Sequence, residues 1–234
     1  MQQRSTQAII LSRTNFGEAD RIITFLTPDQ GKISGLVKGV RKSKSKLAGG
    51  IELFSVSDIT FIPGRGETST IISTRLVRHY GNIVKNLERT NAGYELIKLL
   101  NKSTEDNPES EYFHLLDEAF AALDDQTISL PLIYVWFCSQ LLKLAGHAPN
   151  LKTDLEGYRL EADKKYDFNF DAMSFQPSRA GSSSFGADQI KVLRLLFAGG
   201  RPTQLAQVKD IESIAVQLQT LIKPMLQAQS IAII

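Results

Sequence analysis

Cysteine is nearly absent from this sequence, since the 234 residues include a single one, Cys138. One thiol cannot form a disulfide within the chain. Cys138 lies in the apolar stretch YVWFCSQLL, where a buried and inert thiol is far more common than a nucleophile. The cysteine content therefore fits a reducing compartment, and we expect the protein to be cytoplasmic.

Long hydrophobic runs are missing as well. No apolar stretch approaches the roughly 18 residues that a membrane-spanning helix requires, and MQQRSTQAII lacks the apolar segment of a secretory signal. We therefore expect no membrane-spanning segment. Because 42% of the residues are hydrophobic, the chain can still bury a sizeable core, and its length favours two domains.

The patterns of catalytic and metal sites are also missing. The histidines His79, His114 and His147 are far apart and lack metal-ligand spacing, and the turn PGRGE lacks the lysine of a phosphate-binding loop. No carboxylate pair and no Ser/His/Asp arrangement stands out. We therefore expect a protein that is not an enzyme, with no catalytic residue, metal or cofactor. An enzyme with its site in the irregular residues 147–186 stays open as an alternative.

Positive charge is concentrated in the first third of the chain. The whole sequence is almost neutral, with 27 basic and 25 acidic residues, but residues 1–80 hold 12 basic and 6 acidic ones. Residues 38–50, KGVRKSKSKLAGG, which we call the basic loop, carry no acidic residue and five basic ones: Lys38, Arg41, Lys42, Lys44 and Lys46. A field of a single sign favours a polyanionic partner, either nucleic acid or anionic lipid.

Five short strands are predicted in residues 1–80. The runs are STQAIILSRT, RIITFLTP, DQGKISGLVKGV, ELFSVSDITFI and TSTIISTRLVRHY, each followed by turn residues or by the basic loop. Short strands at this spacing are typical of a small barrel or sandwich. Gly31, Gly35 and Gly39 recur at every fourth position, which we interpret as bends or bulges where the barrel curves tightly.

From residue 82 onward the hydrophobic period is helical. The stretch LPLIYVWFCSQLLKLAG is apolar nearly all round, which predicts a central buried helix that starts near Pro131 and stops at Gly146. The stretch DIESIAVQLQTLIKPML has one apolar stripe, and Pro224 should end or kink this helix. Residues 147–186 are the least regular part of the chain.

The basic loop is the strongest candidate for a binding site. Most charge runs are solvated turns, but five cations in nine residues repel each other unless an anion binds. Further cations lie on or beside the predicted strands, namely Arg13, Arg21, Arg75 and Arg78. The aromatic residues that could stack on bases are Phe16, Phe25, Phe54, Phe61 and Tyr80, although several of them must fill the barrel. No motif for sequence-specific readout is present.

The same region resembles a known family. FGEADRIITFLT, GKISGLVKGVRKSKSKL and ELFSVSDITFIPGRG occur in the order found in the N-terminal domain of the bacterial recombination mediator RecO family, and LLKLAGHAPNL continues a weaker, colinear similarity. The resemblance implies an α+β multidomain fold, with an N-terminal five-stranded OB-fold β-barrel in residues 1–80 and an all-α helical domain in residues 81–234. It also implies an irregular insertion at about residues 147–186.

The sequence departs from the family at one place. In many members, the Pro-x-Leu that corresponds to Pro149–Leu151 of this chain is followed by two cysteine pairs that bind zinc. Residues 150–181 of this chain contain no cysteine. Thr, Asp, Gly and Ser cannot replace four thiolates in a tetrahedral site. We therefore expect a zinc-free module held by apolar and aromatic side chains such as Tyr158, Leu160, Tyr166, Phe168, Phe170 and Phe175.

The resemblance implies a DNA-binding protein of recombinational repair. Its implied partners are single- and double-stranded DNA, RecR and the C-terminal tail of single-strand-binding protein, with no membrane. The predicted DNA-binding residues are Arg13, Arg21, Lys38, Arg41, Lys42, Lys44, Lys46, Arg75 and Arg78. The acidic tail of single-strand-binding protein would need an apolar socket with cations at its rim, and the candidate rim residues are Lys191, Arg194 and Lys223. An RNA-binding barrel protein stays open as the alternative, because charge alone does not separate the two polymers.

Overall fold

The computed structural model describes residues 2–64, 66–104, 110–178 and 185–229, and it divides the chain into two units. The first unit is Met1–Asp124 and the second is Asp125–Ile234. Within the described ranges, no helix combines the length and the apolar composition needed to cross a membrane.

The first unit contains a closed β-barrel. Its strands are β1 (Arg4–Phe16), β2 (Asp20–Thr27), β3 (Gly31–Val37), β4 (Ser55–Ile62) and β5 (Thr68–His79). They follow one another around the barrel in the order β1-β2-β3-β5-β4. The five predicted strands and the OB-fold class are therefore confirmed, and the alternative of a sandwich is wrong.

Closure of the barrel depends on the long strand β1. Its first half pairs antiparallel with β4, from Arg4 to Ile9, and its second half pairs antiparallel with β2, from Ile9 to Phe16. The register shifts between Ile10 and Ser12, a bulge that allows one strand to bend between two neighbours. The barrel is completed where β3 runs parallel to β5, with Ser34–Leu36 opposite Thr68–Thr70.

The barrel interior is filled by apolar side chains from all five strands and from both ends of the basic loop. Its buried members are Ala8, Ile10, Ile23, Phe25, Ile33, Val37, Val40, Ile51, Ile59, Phe61 and Ile71. The repeated glycines have a different role from the one predicted. Gly31 and Gly39 have positive φ angles at the ends of β3, while a Cβ on Gly35 would lie 2.7 Å from the side chain of Ile71.

Two helices belong to the same unit as the barrel, α1 (Leu87–Ser103) and α2 (Ser110–Asp124). The ring of Phe54, just before β4, is buried against Tyr94 and Phe120, with centroid distances of 5.4 and 5.3 Å. A Cβ on Gly93 would lie 2.5 Å from this ring, so α1 approaches Phe54 closely because position 93 has no side chain. The predicted domain boundary after residue 80 stays a prediction.

The second unit begins with the predicted buried helix, α3 (Leu130–Leu144). It is followed by β6 (Asn150–Asp154), β7 (Tyr166–Asn169), β8 (Ser174–Pro177), α4 (Ala187–Ala198), α5 (Pro202–Leu205) and α6 (Ile211–Ala228). Helix α6 passes through Pro224 and ends at Ala228, so this proline does not end it. Met225 and Leu226 are fully buried, and their packing holds the last turn despite the missing N–H of proline.

The region predicted to be irregular contains a small sheet, with the strand order β6-β8-β7. Residues 179–184 of that region lie outside the described residues. Phe168 contacts both Phe170 and Phe175 edge to face, at centroid distances of 5.3 and 5.1 Å, and Tyr166 and Phe185 flank Phe175 at 6.3 Å. Tyr158 is exposed in a turn closed by Asp154, so its predicted place in this core is wrong.

The side chains of this sheet do not fit a zinc ion. No cysteine is available in residues 147–186, and aromatic rings occupy the interior around Phe175. Among the described residues, His, Cys, Asp and Glu side chains nowhere form a group of three that could hold a metal ion. Edge-to-face ring contacts instead supply apolar stabilisation to strands that are only four or five residues long.

Replacing Gly93 by Ala should destabilise the protein. A Cβ 2.5 Å from the Phe54 ring overpacks a buried contact, which costs about 1–3 kcal/mol and outweighs the gain in helix propensity of at most ~1 kcal/mol. Thermal denaturation followed by circular dichroism should show a lower midpoint. The Gly49→Ala control, where nothing lies within 4 Å, should change little. Adding Phe54→Leu to Gly93→Ala should relieve the clash, and an unchanged midpoint for Gly93→Ala alone would contradict this packing.

The purified protein should contain no stoichiometric zinc, and a chelator should not shift its thermal midpoint. The rings around Phe175 hold the sheet, so Phe175→Ala should destabilise it by about 3–5 kcal/mol. Elemental analysis measures the zinc content. Thermal denaturation, with and without chelator and for the Phe175→Ala variant, measures the stability. One tightly bound zinc ion per chain would show that the expectation is wrong.

Candidate nucleic-acid interface

The start of the basic loop is attached to the turn between β1 and β2. The amide of Gly39 donates to the Asp20 carboxylate at 2.7 Å, and the amide of Arg41 donates to the carbonyl of Ala19 at 2.9 Å. Gly39 has a φ of 66°, a conformation in which a side chain would be strained. Val40 between these anchors is buried, so the loop leaves the barrel in a fixed direction.

The end of the basic loop is attached to β5 and β1. Thr74 Oγ1 donates to the carbonyl of Leu47 at 3.0 Å, and the Arg13 guanidinium donates to the carbonyl of Ile51 at 3.3 Å. Leu47 packs against the barrel core. A Cβ on Gly50 would lie 2.5 Å from Thr74, so the glycine allows the loop to pass close to the strand.

The five cations of the basic loop are exposed to solvent. Successive turns run through the loop, with Lys42 N–H donating to the carbonyl of Gly39 at 3.1 Å and Ser45 N–H to that of Lys42 at 3.0 Å. Within the described part of the chain, no carboxylate pairs with Lys38, Arg41, Lys42, Lys44 or Lys46. The loop therefore carries five uncompensated positive charges at one end of the barrel.

The predicted cations on the strands have different surroundings. Arg13 pairs with Glu52 at 3.4 Å, and the exposed Arg75 pairs with Asp58, which lies opposite it on β4. The Arg21 guanidinium donates to the side chain of Asn15 at 3.2 Å. Such exposed ion pairs contribute about 0–1 kcal/mol to stability, so a phosphate can compete with Asp58 for the Arg75 guanidinium. Arg13 lies at the end of the loop, whereas Arg75 is engaged with β4.

Arg78 belongs to a cluster that connects β5 to α2. It donates to the Tyr80 hydroxyl at 3.0 Å and to the Asp117 carboxylate at 2.6 Å, and Tyr80 donates to Asp117 at 2.5 Å. Burial, followed by the hydrogen bond to Asp117, raises the pKa of Tyr80 far above its usual range, so the hydroxyl stays protonated. The hydrogen bond with Tyr80 raises the pKa of Arg78. The structure thus gives Arg78 a packing role within this unit.

The aromatic candidates divide clearly. Phe25, Phe54, Phe61 and Tyr80 are all at most 5% exposed and fill the interior, so they are not accessible to a ligand, whereas Phe16 is 52% exposed. Sequence reasoning did not find Asp20 and Thr74, which hold the basic loop. No local pattern signals them, because the residue that each one binds is distant in sequence, 19 positions away for Asp20 and 27 positions away for Thr74.

The arrangement of exposed cations can neutralise a polyanion. Exposed lysines on a turn supply mobile point charges, which suit phosphates along a nucleic-acid backbone. The two attached ends of the loop keep these charges at one end of the barrel. Whether the nine predicted cations bind nucleic acid stays a prediction.

A groove in the second unit lies between α4 and α6. Its volume is about 580 Å³, and its lining includes Val192, Leu195 and Ile214. Of the predicted rim residues, Lys191 lines this groove and is joined by Lys209, which sequence reasoning did not find. The other two are engaged elsewhere, Arg194 with the carbonyl of Leu151 and Lys223 with the ring of Tyr134.

Comparisons with known proteins agree along most of the chain. Residues 1–80 match the family model described as Recombination protein O N terminal, and residues 84–207 match Recombination protein O C terminal. The DNA repair protein RecO of Dehalococcoides mccartyi is 35% identical over 148 residues, which are 63% of this chain and 58% of the relative. That of Rhodopirellula baltica is 34% identical over 144 residues, 61% of this chain and 53% of the relative. The similarity thus spans a little over half the length of these relatives.

Replacing Arg41, Lys42, Lys44 and Lys46 together by Ala should weaken nucleic-acid binding without unfolding the barrel, because Val40 and Leu47 keep the loop in place. Each lost phosphate contact lowers the slope of log K against log salt by about 0.7 for a single strand, so four contacts give roughly 3. Fluorescence anisotropy at several salt concentrations measures affinity and slope.

The matched control removes the same charge from four exposed lysines outside the barrel: Lys85, Lys98, Lys102 and Lys143. This control should keep most of the affinity and of the salt slope. If the loop variant behaves like the control, the basic loop is an ordinary solvated turn.

Proposed function

Because this chain belongs to the recombination protein O family, we propose that it is a DNA repair protein that binds single- and double-stranded DNA and anneals complementary strands. With RecR, it helps to load recombinase onto DNA coated by single-strand-binding protein. It acts in the cytoplasm at the nucleoid and catalyses no reaction, since annealing neither makes nor breaks a covalent bond.

The observation that supports this proposal best is the uncompensated charge of the basic loop. Lys38 and the four cations that follow have no carboxylate partner among the described residues, although acidic side chains lie at both ends of the loop. Asp20 accepts from a backbone amide and Glu52 pairs with Arg13. The loop therefore stays available for phosphates.

Charge neutralisation is the proposed mechanism of annealing. Two complementary strands repel each other through their phosphates, and a cationic surface that screens both strands lowers this repulsion. The contacts position the backbone and do not read the sequence, as annealing of any complementary pair requires. We propose that the mobile loop cations meet both strands, while Arg13, Arg21 and Lys38 form a more fixed track beside the loop. Arg75 and Arg78 take part only if a phosphate displaces their carboxylate partners.

We place the docking site for the C-terminal tail of single-strand-binding protein in the groove between α4 and α6. An acidic tail with apolar residues requires an apolar floor and cationic rim residues, and this groove offers Val192 and Leu195 with Lys191 and Lys209. Asp188 and Asp210 also line the groove, so its charge is mixed. The apolar contacts therefore contribute most of the binding.

A strand-annealing assay tests the proposed function. Complementary oligonucleotides should anneal faster with the protein than without it, both when naked and when coated with single-strand-binding protein. Removing the acidic tail of the coating protein should slow only the coated reaction, because the groove then loses its ligand. The loop variant should be slow on both substrates, since its defect is in phosphate binding.

Matched RNA oligonucleotides provide the comparison for the alternative function. If the protein anneals and binds RNA better than DNA of the same sequence, an RNA-handling role replaces the proposed one. If annealing rates with and without the protein are equal on naked DNA, annealing is not its activity.

A further inference from the structure

Among the phenylalanine and tyrosine residues described up to residue 80, Phe16 is the one that solvent reaches to a large extent. Its exposure is 52%, compared with 5% or less for Phe25, Phe54, Phe61 and Tyr80. Single exposed apolar side chains are common on protein surfaces, and Leu76 and Val77 of β5 are exposed as well. The exposure makes the Phe16 ring available to a ligand, and its surroundings decide which ligand it suits.

The neighbours of Phe16 connect it to the basic loop. Phe16 is the last residue of β1 and pairs across the turn with Asp20, whose carboxylate holds the amide of Gly39. The Arg41 guanidinium donates to the carbonyl of Gly17, directly after Phe16, at 3.3 Å. These contacts fix the turn that carries the ring to the start of the cationic surface.

A second cation lies beside the same turn. Arg21 is the next residue after Asp20, and it reaches back to Asn15, its partner across the strands. Arg21 also pairs in register with Val37, next to Lys38. Because side chains alternate along a strand, Arg21 shares one face of the sheet with Asn15 and Val37, while Phe16 shares the other face with Asp20. Arg21 therefore adds positive charge to this turn from the face opposite the ring.

An aromatic ring beside cations that bind phosphates is suited to binding single-stranded nucleic acid. Aromatic side chains stack on unpaired bases while neighbouring cations follow the backbone, and this contact tolerates any base. In a duplex each base already stacks on its neighbours within the helix. A ring at the surface reaches a base there only after unstacking it.

We propose that Phe16 stacks on an unpaired base and gives the basic surface a preference for single-stranded over double-stranded DNA. This proposal rests on the proposed DNA binding and specifies the form of DNA that the surface favours. During annealing this contact is released when the two strands pair. The stacking of Phe16 therefore makes the protein bind the single-stranded substrate more tightly than the duplex product.

The test compares Phe16→Ala with the unsubstituted protein on oligothymidylate and on its duplex with oligoadenylate. Loss of one stacked base should weaken single-strand binding roughly 5- to 100-fold. Duplex affinity should be nearly unchanged, and so should the salt slope on both substrates, because phenylalanine carries no charge. Tyr158→Ala, which removes an exposed aromatic side chain from the second unit, should change neither affinity.

Two further variants separate stacking from a structural role. Phe16→Leu keeps an apolar side chain at the turn but lacks a π face, so it should share the single-strand defect. Phe16→Trp should keep the affinity, and its added fluorescence, measured against the unsubstituted protein with its buried Trp136, should be quenched by oligothymidylate.

The outcomes distinguish this inference from the proposed function. If Phe16→Ala binds the single strand as well as the unsubstituted protein does, or loses single- and double-strand affinity equally, stacking is wrong and DNA binding stands. An unquenched Phe16→Trp would also overturn it. If the unsubstituted protein binds neither form, both the inference and the proposed function fail.

Discussion

Closure of the five-stranded barrel is the constraint on which the candidate interface depends. Strand β1 is shared between β2 and β4 through the bulge after Ile10, and only a short parallel contact between β3 and β5 completes the ring. The same closure places the β1–β2 turn beside the start of the basic loop and Thr74 of β5 beside its end. A loop of mutually repelling cations is thus held at both ends by strands that are distant from it in sequence.

The electrostatics of the interface follow from how its few carboxylates are used. Asp20 accepts from a backbone amide, while Glu52, Asp58 and Asp117 pair with arginines on the strands. Carboxylates therefore fix the framework and leave the loop lysines without partners among the described residues. In this way a nearly neutral chain presents a strong local charge, which a uniform distribution of the same residues would not produce.

The second unit meets a different constraint, because its small sheet has strands too short to be stable alone. Edge-to-face contacts around Phe175 supply the core that holds these short strands together. Helices α3, α4 and α6 carry the larger core, in which α3 is buried along most of its length. The α4–α6 groove belongs to the surface of this helical core.

The sequence by itself determined the elements whose signal is local. Alternating apolar runs and turn residues marked the five strands, helical periodicity marked α3, and the charge of the basic loop was visible in one short stretch. Only the tertiary structure decided which side chains are available, because partners such as Arg78 and Asp117 are 39 residues apart. It also decided that Phe16, of five aromatic candidates, faces solvent. The short strands of residues 150–177 escaped prediction for the same reason, since packing against distant residues stabilises them. The sequence left open whether Pro224 ends or kinks its helix, and the structure decided that α6 continues to Ala228.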